Sequence, residues 1–214
     1  MEIIRPVTAV GPGTLRVITD LDSWDRQMPV ALIATAMHQD GRRALLARLA
    51  ARALGCRPSA VSIQHRRGRE PRLIAPPGSS VHLSSSSRDG VVALAASREP
   101  VGIDVERVDP SGPVPWNVLH PAEADWLSGQ VELDRAERFA RIWSAKEAYL
   151  KALGLGLGRE PSSFVALPRP GDAIGIVDGA VERVARTTVL AERGSAFVVA
   201  LVVIGDVTVT PETS

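Results

Sequence analysis

The sequence predicts an α+β fold, on three observations. Two helix-like regions, residues 41–55 and 120–154, stand apart from short runs rich in Val and Ile that read as strands. Proline-glycine breaks such as "DPSGPVPW" at 109–116 separate them. No regular strand–helix alternation of a parallel winding runs along the chain.

The elements follow in order. "GRRALLARLAARALG" at 41–55 repeats leucine at helical spacing and is stopped by Gly55 and Pro58. Strand-like runs come next at 60–65, 81–84, 90–97 and 99–108. The second helical region runs from "HPAEADWL" at 120–127 through "LDRAERFARIWSAKEAYLKALG" at 133–154. Strands return at 173–177, 181–192 and 196–204, and the tail "VTVTPETS" reads either as a last strand or as frayed chain. Each half is thus helix plus strands, an N-terminal half at 1–100 and a C-terminal half at 101–214.

Composition excludes several classes. With 214 residues, 45% hydrophobic and 23% charged, the chain can bury a sizeable core. A net charge of +1 supplies no global field for nucleic acid. The single cysteine, Cys56, cannot form an internal disulfide and reads as a small buried hydrophobe. The start "MEIIRPVTAVGPG" lacks the basic and apolar regions of a secretion signal. The longest apolar run, 196–205, is half a membrane span. The expectation is a cytoplasmic protein with no membrane or nucleic-acid partner.

Two motifs carry chemistry. In "GIDVE" at 102–106, strand alternation turns Asp104 and Glu106 to one face and Ile103 and Val105 to the core. Paired carboxylates repel unless a cation lies between them, and oxygen donors at this spacing suit Mg²⁺. The alternative is two solvated acids at a strand end. In "RIWSAKEAYLKALG" at 141–154, Lys146, Glu147 and Lys151 interrupt apolar neighbours that should be buried. Glu147 and Lys151 either form an ordinary i,i+4 ion pair or serve a metal and a phosphate. "GLGLG" at 154–158 follows a helix and lacks a Lys-Ser/Thr ending, so it reads as a helix cap and loop, not a phosphate loop.

Together, "GIDVE" and the later W-S-x-K-E-x-x-x-K resemble the 4′-phosphopantetheinyl transferases, of the larger, monomeric, surfactin-synthetase-activating class. "LHPAEADWL", with Glu123 at the glutamate of an S-x-x-E pattern, and "KALGLGLG" followed by "SSFVAL" extend the resemblance over residues 40–167. It implies two similar α/β half-domains in a pseudo-twofold arrangement, with CoA's adenosine phosphate on the N-terminal side. The metal site and carrier-protein docking would fall in the C-terminal half.

The resemblance also implies roles. Asp104, Glu106 and Glu147 would hold Mg²⁺, or Mn²⁺, across the CoA pyrophosphate. Glu147 would act as base, directly or through water, and Lys151 would meet the transferring phosphate. Lys146 would pair with phosphate or hold a loop. Arg43, and Arg42 at a position where histidine is common, would meet the adenosine end; solvated helix arginines are the alternative. The implied reaction moves 4′-phosphopantetheine from CoA to a serine of an acyl or peptidyl carrier protein of fatty-acid, polyketide or nonribosomal peptide synthesis. It releases adenosine 3′,5′-bisphosphate, the activity of a holo-[acyl-carrier-protein] synthase.

Two positions depart from that pattern. The family's S-H-S histidine is replaced within "VHLSSSSRDGVV", where Ser87 aligns without gaps, Ser85 aligns with an insertion, and Arg88 adjoins. Hydroxyls and a guanidinium can both donate to phosphate. The family's G-K-P lysine falls on Arg69 or Glu70. No lysine precedes Lys146, so phosphate recognition in the first half would rest on arginines.

For an acidic carrier protein, Arg135, Arg138 and Arg141 with Phe139, Trp116, Leu119 and Trp126 would offer a basic and apolar face. The competing reading of the whole is a degenerate relative that binds CoA or carrier protein without transfer. A different metal-dependent phosphoryl transferase or hydrolase is disfavoured by the lysine–glutamate run.

Overall fold

The computed structural model describes residues 17–18, 21, 24, 29–34, 39–65 and 71–205. In chain order its elements are β1 (Val17–Ile18), β2 (Val30–Ala34), α1 (Gln39–Leu54), β3 (Ser62–Gln64), β4 (Arg72–Ala75), β5 (His82–Arg88), β6 (Val91–Ser97) and β7 (Val101–Arg107). There follow α2 (Pro121–Ser128), α3 (Glu132–Ala152), β8 (Val165–Arg169), β9 (Ala173–Asp178), β10 (Val181–Glu192) and β11 (Ser195–Val203). This is a mixed α and β architecture, as the sequence predicts. The N-terminal stretch, the tail at 207–214, Arg69 and Glu70 lie outside the described residues.

The strands form a four-stranded sheet, β1-β2-β6-β5, a five-stranded sheet, β7-β11-β10-β9-β8, and the hairpin β3-β4. Only β1 and β2 pair in parallel among the described strands. Three apolar clusters fill the spaces. α1 covers one face of the first sheet through Leu45, Leu46 and Leu49, packed on Val30, Leu32 and Leu94. α3 covers one face of the second sheet through Ile142, Ala145 and Tyr149. The third cluster joins the sheets: Ile33 and Ala93 of the first meet Ile103, Val105 and Val199 of the second.

Strand β7 is therefore the hinge of the architecture. Its Val101, Ile103 and Val105 lie in the shared cluster between sheets, which turns Gly102, Asp104 and Glu106 towards α3. The alternation read from "GIDVE" is borne out. Gly102 has a steric reason to be glycine. A Cβ there would overlap the Ala148 carbonyl oxygen and lie 2.6 Å from the Ala152 nitrogen, both backbone atoms of α3. The strand and helix can touch this closely only without a side chain.

The serine-rich β5 lies along β7 without a backbone ladder to it, and side chains bridge the gap. Ser84, fully buried, accepts from the Ile103 N–H at 3.0 Å. β5 returns into β6 through a two-residue Asp89–Gly90 turn with φ of 48° and 82°, the mirror-image turn that suits strand twist. The end of α3 also follows expectation: Gly154 adopts φ 70° and its N–H caps the Lys151 carbonyl.

Candidate active site

The site is built where β5 and α3 meet the outward face of β7. Asp104 is 4% exposed, far more buried than a solvated strand-end acid. Its Oδ1 accepts from Ser86 Oγ at 2.7 Å and from Lys151 Nζ at 2.7 Å. Lys151 also donates to the Ile103 carbonyl at 3.2 Å. The other carboxylate oxygen, Oδ2, is buried and has no hydrogen-bond partner. An ionised oxygen left so is costly unless the site is meant to receive a donor or cation.

Glu106, two residues on, accepts from Arg88 Nε at 2.8 Å and from Arg88 Nη2 at 2.6 Å, both on Oε2. The Trp143 indole also donates to it. Burial pushes its carboxyl above the ordinary range, and the adjacent Asp104 charge adds to that; the Arg88 and Trp143 bonds oppose it. Two carboxylates thus share one pocket, each paired with one cation of the chain.

Helix geometry supplies the third acid. Trp143, Glu147 and Lys151 are spaced four apart and form one stripe of α3. Trp143 reaches Glu106 and Lys151 reaches Asp104, so half-buried Glu147 stands between them on the stripe that faces β7. The donor set is all hard oxygen, and Asp104 Oδ2 awaits a partner. These residues fit a Mg²⁺-type cation. Among the described residues, no three acids are drawn together tightly enough to form a finished metal cage.

Of the two roles read for Lys146, phosphate pairing or holding a loop, the structure supports the second. Lys146 does not face a phosphate. It is fully buried, 2.5 Å from Glu123 Oε1, and donates to the carbonyls of Pro161 at 2.8 Å and Phe164 at 2.6 Å. Burial lowers its pKa and the Glu123 carboxylate offsets this. It holds the loop after α3. Glu123 in turn completes a capping box with His120 at the start of α2 and accepts from the Ala166 N–H at 2.6 Å.

Of the candidates in the first half, Arg42 and Ser87 come together: Arg42 Nη1 donates to Ser87 Oγ at 2.9 Å. Arg43 belongs to the same basic cluster. The His65 pKa is lowered by burial and then by the charges of Arg43 and Arg42. His65 and Ser86 went unread in the sequence. His65 follows an ordinary strand, and nothing in four consecutive serines says which ones face β7.

Beyond Glu106 opens a cleft of about 360 Å³. Its walls include Arg88, Val114, Val118, Phe139 and Trp143. On the outer face of α3, Arg135 caps the Ser128 and Gln130 carbonyls and Arg141 ties Glu137, Asp172 and Thr187. Both are engaged in internal contacts. Arg138 pairs with Asp134 and lies 5.6 Å from the centre of the Trp126 ring. Leu119 is buried, whereas Trp116 is 43% exposed.

Comparison with known proteins finds relatives of one kind. A family model described as the 4′-phosphopantetheinyl transferase superfamily matches residues 100–201. The chain is 33% identical over 85 residues to the 4′-phosphopantetheinyl transferase gsp of Aneurinibacillus migulanus, covering 39% of this chain and 36% of that protein. It is 28% identical over 121 residues to the 4′-phosphopantetheinyl transferase of Bacillus subtilis, covering 56% and 53%. For the phosphopantetheinyl transferase of a Thraustochytrium species the identity is 28% over 158 residues, covering 64% and 54%. The chain spans about half the length of these relatives or less. Asp104, Glu106, Glu147 and Lys151 all fall within the segment that is similar to the 4′-phosphopantetheinyl transferase superfamily.

Proposed function

We propose that the protein transfers 4′-phosphopantetheine from CoA to a serine hydroxyl of an acyl or peptidyl carrier protein, as a Mg²⁺-dependent member of the surfactin-synthetase-activating class. The observation that carries this reading is the α3 stripe laid against β7, with Asp104 Oδ2 buried and lacking a hydrogen bond.

Asp104, Glu106 and Glu147 would hold the cation, which would supply positive charge against the negative charge that develops in the reaction. Glu147 would take the proton of the incoming serine hydroxyl. The serine oxygen then bonds to the phosphorus of the 4′-phosphate, and the bond from that phosphorus to the bridging oxygen breaks. A phosphodiester forms and adenosine 3′,5′-bisphosphate leaves. Lys151 would meet the transferring phosphate and favour the transition state, because negative charge grows there as the bond breaks. Arg42, Arg43 and Ser87 would bind the adenosine phosphate, with Arg88 beside them. The cleft walled by Val114, Val118 and Phe139 suits the uncharged pantetheine arm.

The finer architecture belongs to the same reading: two pseudo-twofold halves, at 1–100 and 101–214, meeting along β5 and β7, in a monomer. Carrier-protein docking would use Arg138 and Trp116 beside the cleft. The test is the intact mass of an apo carrier protein after incubation with the protein, CoA and Mg²⁺, with EDTA and Glu147→Gln as controls. A gain of one phosphopantetheine that both controls abolish is expected. CoA binding with no mass gain across several carrier proteins overturns the reading in favour of a relative that only binds.

A further inference from the structure

Each acid of β7 is held by a cation of the protein's own, and the two cations differ. Lys151 is 15% exposed and fixed also by a backbone carbonyl. Arg88 is 51% exposed, ends β5 immediately before the Asp89–Gly90 turn, and brings two nitrogens to one oxygen of Glu106. A half-exposed guanidinium at the tip of a hairpin can leave at small cost. A lysine braced inside the helix–strand contact cannot.

We propose that Arg88 is a resident counter-ion for Glu106 which a divalent cation must displace, and that nucleotide phosphate draws the guanidinium away, so that nucleotide and metal bind cooperatively. This rests on the reading of the site as a CoA and metal site.

Three observations carry it. Glu106 is 15% exposed and beside the Asp104 carboxylate, so it needs a cation at all times. Both Arg88 nitrogens fall on Oε2, so the guanidinium occupies a lone-pair position that a metal ion would take, and two cations on one carboxylate oxygen repel. Arg88 also has somewhere to go. The preceding residue, Ser87, bonds Arg42, both proposed above to take the adenosine phosphate, and a planar guanidinium matches a phosphate through paired hydrogen bonds. Without nucleotide the arginine neutralises Glu106. With nucleotide it neutralises phosphate, and the carboxylate is released to metal.

The test is Mn²⁺ affinity, by electron paramagnetic resonance of free Mn²⁺ and by calorimetry, with and without adenosine 3′,5′-bisphosphate. Wild type should bind Mn²⁺ several-fold more tightly when the nucleotide is present. Arg88→Ala and Arg88→Gln should bind Mn²⁺ about two- to fivefold more tightly than wild type without nucleotide, the scale of a half-exposed ion pair, and gain less from adding it. Arg107→Ala is the control for the general field: Arg107 lines the same cleft but pairs with Asp89 at 3.3 Å, and its Mn²⁺ affinity should stay within about twofold. Unchanged Mn²⁺ affinity in both Arg88 variants, an equal rise in Arg107→Ala, or undiminished nucleotide coupling overturns the proposal. Failure of the underlying reading looks different: Glu106→Gln would keep wild-type Mn²⁺ affinity and no carrier protein would gain mass.

Discussion

Glu123→Gln isolates the buried ion pair behind the site. The side chains of Glu123 and Lys146 are both 0% exposed and 2.5 Å apart. Glutamine keeps the volume but removes the charge and one of two acceptors, since the Ala166 N–H donates to Oε1 and the His120 N–H to Oε2 of Glu123. The Lys146 ammonium keeps the Pro161 and Phe164 carbonyls and loses the carboxylate paired with it. Breaking a buried pair this way costs about 3–5 kcal/mol. At roughly 2–4 °C per kcal/mol for a chain of this size, Tm should fall by about 6–20 °C. Lys146→Met should cost somewhat less, because the orphaned carboxylate retains two backbone donors. The double variant should cost less than the sum of the singles by about 1–3 kcal/mol, since it leaves no isolated charge. Urea unfolding of the four proteins measures all three quantities. Single costs under about 1 kcal/mol, or costs that add within about 0.5 kcal/mol, would refute the reasoning. The same Lys146→Met protein checks the loop-holding role: its KM for CoA should match wild type, whereas a phosphate-binding lysine would raise it.

Further expectations attach to other contacts. Gly102→Ala should cost about 1–3 kcal/mol and also weaken metal binding, because its Cβ meets the backbone of α3 and must displace the helix that carries Glu147 and Lys151; a Tm and Mn²⁺ affinity equal to wild type would show that the close approach is not needed. Tyr149 is the chain's single tyrosine, and burial, then its bond to Asp178, pushes its pKa up to about 12. Absorbance at 295 nm should therefore show no half-ionisation at pH 10 in the folded protein; because the folded state keeps the proton longer, stability should decline as pH rises above 10 towards 12. Asp178 is held below its usual 3.8 by Arg159, which bonds it through two nitrogens at 2.6 Å, with burial opposing. Its folded pKa is depressed, so its contribution is present above pH 3.8 and lost as pH falls through the lowered value; Asp178→Asn should flatten the acid limb of a Tm–pH curve, and an unchanged limb would discount the pair.

What the sequence made legible were features with a local cause. The alternation in "GIDVE" needs only five residues, and β7 shows it. The length and burial of α3 follow from its apolar spacing, and its end from Gly154. β2 escaped because all five of its residues are buried, so no polar–apolar alternation distinguishes "VALIA" from a helix fragment. The two-residue β1 and the weakly patterned β4 offered still less. In the site, the two roles left open for Lys146 have the same origin. Its place in "WSAKEAY" says that an ammonium lies among apolar neighbours, but the anion that answers it, Glu123, comes from another helix. Likewise Arg88 and Glu106 meet only because β5 runs beside β7, 18 residues apart in sequence. A residue type and a spacing can nominate a charge for a site. Which partner satisfies that charge is decided by how sheets and helices stack, and at Lys146 the stacking selected the loop anchor over the substrate ligand. At Arg88 it set a residue that reads as a phosphate donor directly on a carboxylate expected to bind metal.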